Sequence, residues 1–187
     1  LAALFIFGQD SAVARFFYEH SSDSERRQLI SQSLCFQLVG LLILLPVLWV
    51  AAENITSLLL ESADSETLFR IVLLQLPFIL IINFSVNLLK WTFARTQFLV
   101  MSLGATSLQA LLVVGAVVWG DVGIRGILLV GLRTSIVFAT IGLFFVRRWL
   151  AIPRDMLYVR EMLPFAAPLG LICAVGGFWP VLERGLT

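Results

Sequence analysis

Five charged residues stand within or at the edges of apolar runs: Asp10, Arg15, Arg133, Glu183 and Arg184. A charge in hydrocarbon costs about 2.5–3.5 kcal/mol on insertion scales, so such a residue ordinarily faces a partner or a water-filled path. Arg133 is the clearest case, near the middle of the run Ile124 to Val146. It reads either as a structural arginine, in a buried ion pair or hydrogen-bonded, or as the lining of an aqueous cavity. Asp10 and Arg15 lie about 500° apart around a helix and point in different directions, so neither is simply the other's partner. Arg15 either serves a polar path or snorkels to the membrane surface. Glu183 and Arg184 read as interfacial anchors or as functional groups in equal measure. Uncharged polar residues form a second constellation. Ser33 and Gln37, then Gln75, Asn83 and Asn87, then Ser102, Thr106 and Gln109 recur at helical spacing within three apolar runs. Such stripes either line one shared cavity or make interhelical hydrogen bonds of about 0.6–2 kcal/mol each. The chemistry on offer is charge placement and hydrogen bonding rather than bond-breaking. The sequence has no nucleophile elbow, phosphate-binding glycine loop or paired His/Glu metal motif, so it does not read as an enzyme and calls for no cofactor. Two cysteines, Cys35 and Cys173, and one histidine, His20, are too few and too scattered for a metal cluster. The cysteines read as small packing residues, and His20 as a solvated loop histidine.

The elements that must position these residues are apolar. Of 187 residues, 59% are hydrophobic and 13% charged, with a mean hydropathy of +0.97. A soluble domain is nearer 45–50% apolar and about 25% charged. Helices apolar on nearly every face have lipid as their solvent. The expected architecture is an all-α polytopic transmembrane bundle of about six membrane helices. An N-terminal bundle spans residues 1–148, with helices at about 1–18, 28–52, 68–90, 97–119 and 123–147. Residues 149–162 form a cytoplasmic interfacial linker, read as a short surface helix, and 163–187 form a sixth membrane helix, the first of a second bundle, bent by its prolines and glycines. The chain begins and ends inside apolar runs and is read as part of a longer protein. The net charge of +1 is less informative than its distribution. Arg15, Arg26, Arg27, Lys90, Arg95, Arg147, Arg148, Arg154 and Arg160 fall in segments that alternate with segments holding only Arg125. That bias assigns the first set to the cytoplasm. The few, dispersed basic residues exclude a nucleic-acid surface.

The stretch Gly8-x-Asp10-Ser11-Ala12-x-x-Arg15-Phe16-Phe17-x-Glu19, followed by Glu25-Arg26-Arg27-x-Leu29-Ile30-Ser31, resembles the end of the second membrane helix and the following loop of polysaccharide transporters. These are the O-antigen and capsule flippases of the MATE-like multidrug/oligosaccharidyl-lipid/polysaccharide exporter superfamily. Leu68 to Phe78 resembles the start of the family's fourth helix. Arg160 to Leu169, followed by Glu183-Arg184, resembles its seventh, with Glu where the family often has Asp. The resemblance implies a MATE-like half-transporter fragment in the bacterial cytoplasmic (inner) membrane. It implies transfer of a lipid-linked oligosaccharide by alternating access for polysaccharide biosynthesis, with membrane lipid and a coupling ion as further partners. Arg15, Arg133, Asp10, Asn83, Asn87, Gln75, Gln109 and Gln37 are the expected substrate path. The arginines would draw the diphosphate or acidic sugars, and the amides would bond sugar hydroxyls. The rival reading is a MATE-type drug or ion antiporter, which calls for a carboxylate deep in the bundle; Asp10 alone qualifies.

Overall fold

Apolar runs with helical periodicity give helices here and no strand among the described residues. The computed structural model describes residues 9–20, 22–59, 65–120, 122–153, 155–164, 166 and 168. The elements are α1 (Gln9–Glu19), α2 (Asp23–Val50), α3 (Ala52–Leu59), α4 (Ser65–Trp91) and α5 (Arg95–Leu99). A π-helical segment (Val100–Gly104) leads into α6 (Ala105–Gly120), and α7 (Ile124–Val146) ends in a 3-10 turn (Arg147–Trp149). A further helix starts at residue 157. Four helices, Asp23–Val50, Ser65–Trp91, Arg95–Val118 and Ile124–Trp149, are long and apolar enough to cross a membrane. The expected count of about six is not reached among the described residues. Of the first expected span only Gln9–Glu19 is described, and most of the sixth, with Cys173, Glu183 and Arg184, lies outside them.

The chain divides into two compact units, residues 1–40 with 147–187 and residues 41–146. The first unit is organised by polar side chains on α2. Asp23 and Glu25 occupy its first turn, where the helix dipole favours negative charge. Arg26 donates from Nε to the carbonyls of Phe17 (3.2 Å) and His20 (2.9 Å), satisfying acceptors left open at the end of α1. Its guanidinium also stacks 5.0 Å over the Phe17 ring. One turn further along, the helix clasps the segment after the 3-10 turn. Ser31 Oγ accepts from the Ala151 amide (2.7 Å), and Gln28 Nε2 donates to the Ile152 carbonyl (3.1 Å). Gln32, fully buried, donates to Asp155 Oδ1 (2.9 Å) and accepts from the Tyr158 amide (3.0 Å). These bonds replace a helical ladder, so residues 150–153 and 155 are irregular where the sequence suggests one surface helix from Trp149 to Met162. His20 is half-buried rather than fully solvated. Its Nδ1 lies 2.8 Å from the Phe16 carbonyl and its ring meets Tyr158 edge-on at 5.2 Å.

In the second unit α4 and α7 form the most extensively packed pair. The contact face of α7 carries Gly131, Ser135, Ala139 and Gly142, all buried. Small residues at steps of three and four let two backbones approach closely, the principal source of helix association where the hydrophobic effect is absent. Gly142 shows how close: a Cβ there would sit 2.8 Å from Ser85 Oγ and 3.0 Å from Ser85 Cβ. The acidic stretch after α2, which reads as a loop, holds α3. Ala52 and Thr56, four apart, are buried, and Thr56 Oγ1 donates back to the Ala52 carbonyl (2.8 Å). Arg70 of α4 stacks over Trp49 at 5.2 Å and pairs with Glu66.

α4 ends in a tight reversal. The Ala94 amide donates to the Leu89 carbonyl (2.9 Å) and the Phe93 amide to the Lys90 carbonyl (3.2 Å). This is the Schellman arrangement, in which the residue at the position of Phe93 takes a left-handed conformation. Phe93 has φ 53°, a region that glycine enters without penalty and a phenylalanine does not.

Candidate functional site: a neutral polar cavity

Three helices of the second unit border an open cavity of about 560 Å³. Gln75 and Asn83 come from α4, Thr106 and Gln109 from α6, and Ser135 from α7, with Ile79, Ile82 and Val113 among the apolar lining. The spacing explains the convergence. Gln75 and Asn83 stand two turns apart on α4, and Thr106 and Gln109 one turn apart on α6, so each pair shares a face. The face of α7 opposite them is shaped by Gly131. A Cβ added there would lie 3.2 Å from Gln75 Nε2 and 3.7 Å from Gln109 Nε2. Both carboxamides therefore reach the same point on α7, a point open because that residue has no side chain. Gln75 Nε2 donates to Ser135 Oγ at 3.0 Å, and Thr106 Oγ1 donates to the Ser102 carbonyl at 2.9 Å. Asn83 and Gln109 make no hydrogen bond to another described residue. Their donors and acceptors are available to whatever occupies the cavity. None of the described lining residues is ionisable. The arrangement can bind a neutral polar molecule by hydrogen bonding, on a surface that is open along α6.

No protein-family model, curated protein or solved structure matches this chain.

Of the residues expected on the path, Gln75, Asn83 and Gln109 meet at this cavity. Asn87, on the same stripe of α4, is half-buried, is hydrogen-bonded or otherwise engaged, and is not part of the lining. Ser102 is likewise outside the lining, its hydroxyl turned back to the Phe98 carbonyl (2.8 Å). Gln37 is buried in the first unit, its amide nitrogen without a partner among the described residues. Arg15 is exposed at the end of α1 and pairs with Glu19 at 2.9 Å, one turn on. Asp10 lies in α1, but its side chain is outside the described residues. Arg133 is exposed. At about 100° per residue it falls on the side of α7 opposite the buried face that carries Gly131, Ser135 and Gly142. It does not line the cavity.

Two contributors, Ser135 and Gly131, are not singled out by the sequence reading. The signal was present as the small-residue repeat Gly131-x-x-x-Ser135-x-x-x-Ala139 in an apolar run, which marks a packing face. Reading α7 for charge draws attention to Arg133 and away from the face that meets α4.

Proposed function

We propose that this chain forms part of a bacterial inner-membrane flippase for a lipid-linked oligosaccharide, contributing helices of its first bundle. The observation that carries the reading is the cavity of amides and hydroxyls with no ionisable lining residue, in which Asn83 and Gln109 keep unspent hydrogen-bonding capacity. Sugars present many neutral hydroxyls, each both donor and acceptor, and carboxamides complement them from either side. The resemblance of Gly8 to Ser31 to polysaccharide transporters supports the same reading, as does the segregation of basic residues to alternate segments. Arg133, exposed near the middle of a candidate span on the side of α7 away from the cavity, calls for a second polar surrounding there, because lipid is an expensive one for it. An antiporter for drugs or ions would call for a carboxylate on the path, and the described lining holds none.

The test is complementation of a bacterium lacking its own O-antigen flippase with the full-length gene. Surface polysaccharide should return, and should be lost with Asn83→Leu plus Gln109→Leu and, separately, with Arg133→Ala, at unchanged membrane levels of the protein. Absence of export in the wild type, or normal export from the double-leucine variant, would overturn the assignment of the cavity to the sugar.

A further inference from the structure

A second pocket lies away from the polar cavity, on the reversal between α4 and α5. It measures about 250 Å³ and is lined by Leu89, Lys90, Phe93, Arg95 and Phe98. The reversal joins two of the four candidate spans, Ser65–Trp91 and Arg95–Val118, and so stands at the height of lipid headgroups. Its floor is apolar and its rim carries two cations, both exposed and neither paired with a carboxylate among the described residues. Phe93 adds an independent observation. It holds the left-handed position that closes α4, where glycine is the unstrained choice, and it is 71% exposed. Backbone strain retained for an exposed aromatic ring indicates a task for the ring outside the fold. An apolar ring and two cationic side chains around one pocket, at the boundary of hydrocarbon and water, match the glycerol and phosphate region of a phospholipid.

We propose that Lys90, Arg95 and Phe93 form a binding site for an anionic phospholipid, with the two cations on its phosphate and the phenylalanine ring set among its upper acyl carbons. The arginine offers a planar fork to the phosphate oxygens and the lysine a point charge, a common division of labour at phosphates. The site takes its ligand from the surrounding membrane and stands independently of what the polar cavity transports. It would fix the α4–α5 reversal at the interface of a leaflet rich in acidic lipid.

The experiment uses the full-length protein in neutral detergent, titrated with dioleoylphosphatidylglycerol or with dioleoylphosphatidylcholine, and read by unfolding temperature and by lipid retained in native mass spectrometry. The wild type should prefer phosphatidylglycerol, and each cation removed should weaken that lipid about fivefold. Lys90→Gln with Arg95→Gln should bring the two lipids to parity. Phe93→Gly separates binding from folding, since it should raise the unfolding temperature without lipid while lowering affinity for phosphatidylglycerol. Equal affinity of the wild type for both lipids, or a preference that survives the double variant, would overturn the proposal. Equal stabilisation by inorganic phosphate with no lipid added would overturn the lipid as its ligand.

Discussion

The close approach of α4 to α7 at Gly142 invites a substitution that adds one carbon. In Gly142→Ala the new Cβ would lie 2.8 Å from Ser85 Oγ, 3.0 Å from Ser85 Cβ and 3.0 Å from Met101 Cε. Unstrained carbon contacts are near 3.5–4.0 Å, so the helices must part or Ser85 must move. Met101 can yield, because its Cε is the end of a flexible chain; Ser85 Cβ cannot move without its backbone. Overpacking of this kind costs about 1–3 kcal/mol. Alanine is also the better helix former, by about 1 kcal/mol over glycine. The net expectation is a loss of about 0–2 kcal/mol, too broad to be decisive alone. The coupling is sharper. Ser85→Gly removes two of the three clashing atoms, so the pair Gly142→Ala with Ser85→Gly should recover most of the overpacking cost. A double-mutant cycle should then show an interaction of about 1–2 kcal/mol. The assay is reversible unfolding in mixed micelles by titration with a denaturing detergent, followed by tryptophan fluorescence, on wild type, both single variants and the double variant. A Gly142→Ala protein at least as stable as wild type, with additive effects in the cycle, would refute the close packing inferred for α4 and α7.

Three further outcomes follow from particular contacts. Ser85 Oγ is buried with no hydrogen-bond partner among the described residues, so Ser85→Ala should be neutral to stabilising by about 1 kcal/mol in the same assay. Gln32→Leu would remove both bonds that hold Asp155 and the Tyr158 amide, costing about 1–3 kcal/mol and speeding amide exchange at Tyr158 while leaving amides of α4 and α7 unchanged. Tyr158 has its phenol pushed above the usual 10.0, first by desolvation and then by Glu25, Glu161 and Asp155, all of which oppose the phenolate. Titrated by ultraviolet absorbance in a Tyr18→Phe background, it should ionise above about pH 10. Because the folded value is raised, the stabilisation is complete below the unfolded value and is lost as pH climbs from there through the folded one.

The site was partly legible before any fold was known. Gln75, Asn83 and Gln109 stood out because polar side chains at helical spacing within apolar runs must face either another helix or a wet cavity, and they do share a cavity. Ser102 was expected beside them, but its hydroxyl is spent on the Phe98 carbonyl one turn back, a local bond that spacing does not reveal. Gln37 belongs to another compact unit, a division that spacing along one helix does not encode. The clasp of Ser31 and Gln32 on Ala151, Asp155 and Tyr158 was invisible for a related reason. Its partners are more than a hundred residues apart in the chain, and backbone amides carry no sequence signature.

What the sequence alone determined is the solvent and the local geometry. Its hydropathy selects helices apolar enough for lipid, and its polar spacings select which side chains share a face, because both depend on neighbours within a turn or two. What only the tertiary structure decided is which faces meet. Gly131, Ser135 and Gly142 let α7 lie close against α4, which brings two glutamine amides to one point and turns Arg133 to the opposite side. That choice rests on the fit of backbone to backbone at contact distance, a property of two surfaces together and of neither helix by itself.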